Sequence, residues 1–207
     1  MKRIILFFSL LLSVSLSAQH FRGGFQAGVL HSRLIAGDGK NWYTGFMFGG
    51  NINYGIFKME INYFRKGGTA VIYNNSIGWF DKYQVGADYI QIPLSVHFST
   101  KDRDGNDEGM RYDCEFGVAP GRLLDSFAKL NGQTFFSGYH YKRFMTDIFG
   151  GVGLDFGDKF FLGLRFSWSL YSDVVRTKIP PGFFLQYFDN GHVITHQYVM
   201  RFAFGKA

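Results

Sequence analysis

The sequence has one cysteine, Cys114, and only four prolines in 207 residues. A single thiol excludes an internal disulfide framework, so the fold must be held by other means even in an oxidising compartment. Beyond residue 19 there are no long helix-forming stretches. No apolar run there approaches the ~20 residues a membrane helix needs, and mean hydropathy is −0.04. No group of His, Cys and Asp has metal-ligand spacing, and no cofactor motif is present. Charge is also modest. Lys and Arg number 22 against 16 Asp and Glu, a net +6, which falls to +4 once Lys2 and Arg3 are removed. That balance is ordinary for a surface and implies no nucleic-acid partner.

Lys2 and Arg3 belong to an expected export signal. Met1-Lys2-Arg3 is a positive start, Ile4 to Leu12 is apolar apart from Ser9, and Ser13 to Gln19 is small and polar. That order predicts a signal peptide over 1–18, cleaved after Ala18 or Ser17, and a single mature domain over 19–207. A membrane anchor would need a longer apolar run.

What the chain does have is aromatics, 19% of residues, and 27 glycines, with apolar residues at alternate positions. Phe160, Leu162, Leu164, Phe166, Trp168 and Leu170 share one face, and Gly163, Arg165, Ser167 and Ser169 the other. Ile90, Ile92, Leu94, Val96 and Phe98 alternate with Gln91, Pro93, Ser95, His97 and Ser99. The same period recurs around 21–32, 46–54, 57–63, 111–118, 147–156 and 194–204. Period-2 alternation marks half-buried strands, and there are eight of them. A bulge is expected at Pro93, which cannot donate to a ladder. The links fall at 36–42, 55–56, 67–88, 100–109, 125–143, 157–159 and 172–191, the odd-numbered ones mostly long and the even ones mostly short.

These features predict an all-β fold, an eight-stranded antiparallel transmembrane up-and-down β-barrel with long external loops, short periplasmic turns and both termini in the periplasm of a Gram-negative bacterium. A soluble barrel or sandwich would alternate too, but with its apolar face inward. Here the other face carries balanced charge: Arg22, Lys58, Arg111, Arg165 and Arg201 against Glu60, Asp113, Glu115, Asp147 and Asp155. An eight-stranded barrel is filled by its own side chains, where such ions can pair and avoid the cost of isolated burial. Phe21, Tyr54, Phe57, Phe98, Tyr112, Phe156, Phe160 and Phe204 would then form a periplasmic aromatic girdle at the lipid–water interface.

Ile61 to Gly67 (INYFRKG), followed by Asp88 to Leu94 (DYIQIPL), resembles the PorT-like family of outer-membrane β-barrels, in which Tyr-x-x-Lys-Gly precedes Tyr-Leu-x-Ile-Pro-Leu. Gly117 to Gly121, Gly151 to Leu154 and Phe161 to Leu170 extend the likeness over nearly the whole mature chain. Tyr198, Met200, Phe202 and Phe204 resemble a barrel-assembly signal, although Gly205, Lys206 and Ala207 follow. The resemblance implies a barrel inserted by the assembly machinery and a place as an accessory to type IX secretion-like export, with which the family's named member is associated, although many relatives have no known role.

Three constellations could carry chemistry. Asp102 to Glu108 superficially resembles a calcium loop, but Asp107 stands where glycine is required and the twelfth position, Asp113, lies on a strand. A solvated turn is expected there. His31 and His196 face outward near the outer ends of neighbouring strands. They suit either a lipid A hydrolase of the outer leaflet or simple contact with lipid headgroups, and no outward acid is found to orient them. Aromatic loop residues, Trp79, Phe80 and Tyr83, Phe135, Phe136, Tyr139, His140 and Tyr141, and Phe183, Phe184, Tyr187 and Phe188, suit either a protein contact surface or a cap over the barrel mouth. Cys114 is expected to face lipid. The leading expectation is therefore a non-enzymatic structural or interaction component in contact with outer-membrane lipid. A lipid A hydrolase and a small pore are the alternatives.

Overall fold

The computed structural model describes residues 21–35, 41–74, 78–100, 110–137, 142–156, 159–171 and 192–204. Residues 1–18, where a signal peptide is expected, the residues of the calcium-like turn, and the loop aromatics Tyr139 to Tyr141 and Phe183 to Phe188 lie outside them, as do the side chains of Phe21, Phe135 and Phe136.

Among the described residues, ten strands form one antiparallel sheet: β1 (Phe21–Ile35), β2 (Tyr43–Tyr54), β3 (Phe57–Asn74), β4 (Trp79–Gln91), β5 (Leu94–Ser99), β6 (Met110–Leu130), β7 (Gln133–Ser137), β8 (Phe144–Phe156), β9 (Phe160–Ser169) and β10 (His192–Phe204). β1 pairs with β2 on one side and β10 on the other, so the sheet closes and has no edge there. β4 and β5 occupy a single place in the wall between β3 and β6. The ring is therefore eight strands round, as the alternation predicts.

The faces explain why these segments are strands. On β9 the outward series Leu162, Phe166 and Trp168 is exposed, while Arg165, Ser167 and Ser169 are buried. The same alternation runs round the wall, leaving Phe25 66%, Phe57 61% and Phe116 60% exposed on the outside. An apolar belt this continuous would be penalised by water; in a bilayer it is the solvated face.

Three sequence expectations need correction. Residues 67–88, read as a loop, are mostly strand: β3 and β4 stay paired out to Asn74 and Trp79. Thr69, Val71, Ile72 and Tyr73 favour a pleated backbone, and Gly67-Gly68 sits within the ladder instead of ending it. Residues 125–143 likewise hold the end of β6 and all of β7, turned through Asn131 (φ 50°) and Gly132 (φ 87°). Both central residues at positive φ make the tight turn suited to twisted strands. At Pro93 the strand stops and restarts, because Pro93 has no N–H; its carbonyl accepts from Glu60 N at 2.9 Å while Ile92 N donates to the carbonyl of Pro120 at 2.8 Å. The bulge itself lies earlier, where the β4–β6 register shifts between Asp88 and Tyr89.

β3, β4, β6 and β7 thus project past the other strands at the end opposite the tight Gly55 turn (φ 56°). Inside that outer part Ala70, Val85, Ala87, Tyr89, Leu123, Ala128, Met145 and Val193 form an apolar core. A smaller apolar cluster, Leu30, Met47, Phe64 and Val199, lies on the inner face of β10, β1, β2 and β3.

Candidate functional site

Even-numbered residues of β3 and odd-numbered residues of β9, β10 and, as far as Leu123, β6 point into the barrel, which brings Lys58, Glu60, Glu115, Arg165 and Arg201 together. Arg165 bridges the two carboxylates: its Nη2 donates to Glu60 Oε1 at 2.7 Å and its Nε to Glu115 Oε1 at 2.8 Å. Arg201 Nη2 reaches Glu115 Oε1 at 2.8 Å, and its Nε donates to Gln26 Oε1 at 3.1 Å. Gln26 Nε2 in turn donates to Glu60 Oε2 at 2.7 Å. Lys58 pairs with Glu115 and lies 3.5 Å from Glu60 Oε1. Every ion here is about nine-tenths buried or more, so each charge depends on the others for the solvation that water no longer gives.

Two inward aromatics complete the cluster. Arg165 lies over the Phe149 ring at 4.3 Å and Arg201 over Phe161 at 4.0 Å, each a cation on a π face. Glycines make room for those rings. A Cβ on Gly163 would come within 2.4 Å of Phe161, and one on Gly117 within 2.7 Å of Phe149. These platforms are not among the sequence candidates, which are all charged or interfacial residues; the inward parity of Phe149 and Phe161 is the signal that marks them.

The remaining candidates are distributed. Asp113 meets His97, Nδ1 to Oδ2, at 3.1 Å. Arg111 and Asp155 are cross-strand partners. Together with Arg22 they line a cavity of about 600 Å³ at the tight-turn end, beside Gly55 and Lys159. Asp147 lies elsewhere, with a cation that the sequence reading missed. Lys66 Nζ donates to Ser169 Oγ at 3.0 Å and lies 3.4 Å from Asp147, whose Oδ2 also accepts from Gln91 Nε2 at 3.1 Å. Gly67-Gly68 reads as the start of a loop and hides Lys66, although even parity on β3 turns it inward.

Of the aromatic ring, Tyr54, Phe57, Phe98, Tyr112, Phe156 and Phe204 are exposed on the outer surface, and Phe160 packs between Phe156 at 5.8 Å and Phe202 at 5.2 Å. Each lies towards the tight-turn end of its strand, and the backbone of Phe21 pairs with Tyr54 at the same level. Cys114 is exposed on the outside. Asp113, the last ligand position of the calcium-like turn, is a paired residue of β6.

His31 and His196 are direct partners across β1 and β10. Thr44, on β2, shares a 3.1 Å hydrogen bond with His31 Nδ1. A hydroxyl beside an imidazole has the geometry of a nucleophile and its base, yet β2, β1, β10 and β9 contain no Asp or Glu to orient the ring.

The sequence matches the family described as "Outer membrane protein beta-barrel domain" over residues 13–172. No curated protein matches. Among solved structures, Neisserial surface protein A aligns at 11% identity over 89% of this chain and 97% of its own, with a TM-score of 0.51. Ail of Yersinia pestis aligns at 12% identity over 89% and 99% (TM-score 0.47), and the N-terminal β-barrel domain of Pseudomonas aeruginosa OprF at 14% over 90% and 98% (TM-score 0.43). At such identities the likeness to the Neisserial protein is one of fold.

Proposed function

Because the chain belongs to the outer membrane protein β-barrel domain family, we propose that it works as a non-enzymatic structural or interaction component whose working face is the sheet projecting beyond the wall. One observation carries this reading. The interior is occupied by the mutually paired cluster of Lys58, Glu60, Glu115, Arg165 and Arg201, while the tip of the β3–β4 hairpin leaves Trp79 75%, Phe80 68% and Tyr73 52% exposed. Apolar surface at the end of a projecting hairpin is where a partner gains most by excluding water. The tight turns and both chain ends then face the periplasm, and the hairpin faces outward.

Cross-linking in native outer membranes tests this. A variant with 71–82 replaced by a two-residue turn is expected to lose a partner that the parent chain captures, while still shifting on gels when heated as a folded barrel does. Retention of every cross-link would overturn the reading. Orientation is read separately, in a Cys114→Ala background: a Tyr73→Cys thiol should react with an impermeant maleimide on intact cells, and periplasmic-only reactivity would reverse the topology. The narrower role, an accessory to type IX-like export, rests on the PorT-like resemblance; loss of the protein would then strand secretion cargo in the periplasm.

Two alternatives have their own tests. A pore requires steady single-channel conductance, which the filled interior disfavours. A lipid A hydrolase, suggested by the Thr44–His31 pair, requires lipid A mass to change with expression and to revert in His31→Ala.

A further inference from the structure

Four neighbouring strands, β2, β1, β10 and β9, contain no acidic residue, yet they carry Arg33, His31, His192 and His196 on their outer face. The nearby outward carboxylate Asp88 is already held by Arg65 through two hydrogen bonds of 2.7 and 2.6 Å. Arg33 is half-buried, and its Nε is cut off from solvent without a hydrogen-bond partner among the described residues. A shielded guanidinium nitrogen with no acceptor lacks one particular thing, an anion.

The surroundings are shaped for one carried on a lipid. Trp42 reaches across β1 to lie 4.8 Å from the His196 ring, and Phe166 closes the other side at 4.9 Å. His31 is packed edge-on against Tyr198 at 6.1 Å and fixed by Thr44. Indole, imidazole and guanidinium together form a rigid amphipathic patch of the kind found where hydrocarbon meets headgroup. Its height agrees. His31 stands ten residues along β1 from Phe21; at a rise of about 3.3 Å and a tilt of about 40°, that is about 25 Å, the depth of a barrel's apolar band. Arg33 and the histidines therefore sit at the border opposite the aromatic ring.

We infer that this patch is a binding site for the phosphate of an outer-leaflet lipid, with Arg33 as its anion-holding group, His31 and His196 as further donors, and Trp42 covering the acyl–headgroup junction. Ionisable groups on a lipid-facing surface persist where they meet a lipid charge. The site takes lipid from the side and is independent of any partner at the hairpin tip. It shares the proposed orientation, which the Tyr73→Cys labelling reads separately.

The test uses the full barrel in detergent, titrated with bis-phosphorylated lipid A and with lipid A stripped of phosphate, bound lipid being counted by native mass spectrometry. The phosphorylated form is expected to bind at least about tenfold more tightly, the scale of one charge-assisted hydrogen bond. Arg33→Gln should abolish that preference and Arg33→Lys should keep part of it. Millimolar inorganic phosphate should not displace the lipid. Equal binding of the two lipids by the unaltered protein would overturn the site whether or not any variant folds. Full displacement by inorganic phosphate would reassign it as a free-anion site.

Discussion

The inside of this barrel is two materials. Around Glu60 and Glu115 it is ionic, every carboxylate oxygen engaged by Arg, Lys or an amide. Further out, around Tyr89, Leu123 and Val193, it is apolar and packed like the core of a water-soluble domain. The difference follows from what lies outside the wall. Where the outer face meets lipid, apolar side chains gain nothing by facing inward, so the interior can be polar provided it is internally satisfied. Beyond the lipid, the projecting strands have water on their outer side and must bury apolar surface in the ordinary way. Lys66 stands at the boundary, its ammonium on Asp147 and Ser169 and its charge 5.3 Å from the Tyr89 ring.

That contrast can be broken from either side. The largest effect should come from Arg165→Leu, which removes the guanidinium hydrogen-bonded to both Glu60 and Glu115 and leaves Lys58 and Arg201 to hold them; breaking a buried pair costs about 3–5 kcal/mol, read as a lowered urea midpoint for the barrel refolded in lipid vesicles. An unchanged midpoint would mean the ionic layer is solvated after all. A smaller loss, about 2 kcal/mol from missing contacts and a residual cavity, is expected for Val85→Ala in the apolar layer. It should also loosen amide protection in β3 and β4 more than in β9, and uniform loss of protection would deny the two layers their separate identity. Trp79→Ser, at the exposed hairpin tip, should change stability by no more than about 0.5 kcal/mol while weakening partner capture. A large stability loss there would place Trp79 in a packed cap.

The ionic layer was more legible in sequence than the apolar one. Period-2 alternation assigns Arg165, Glu115 and Glu60 to a single face because a strand offers only two, and charges on the face opposite Phe and Leu stand out. The apolar outer layer carries no such contrast. Ala70, Val85 and Ala87 sit among Gly67, Gly68 and Gly86, a composition shared by loops, so the alternation there is too weak to separate a projecting hairpin from a connection. Pairing distances across the barrel were illegible for another reason. Which acid meets which base depends on the stagger between strands, and Lys66 with Asp147 joins residues far apart in the chain. Thr44 was missed because it matters only through its neighbour on β1.

The meeting of side chains inside the barrel has a consequence for how the wall is assembled. A strand threading into a closing barrel can err by one residue, which turns its greasy side inward and is rejected at once. An error of two residues keeps the faces right and is the harder mistake to detect. Pro93 stands opposite Glu60, accepting from Glu60 N with its carbonyl and returning no N–H, while Ile92 N donates to the carbonyl of Pro120. Slid two places either way it would face β3 in the same manner, so its missing donor does not penalise that error. What such a slide breaks is the meeting of side chains inside the barrel, Gln91 with Asp147 among them, and replacing Pro93 with Val should smooth the strand without letting misaligned barrels accumulate during insertion.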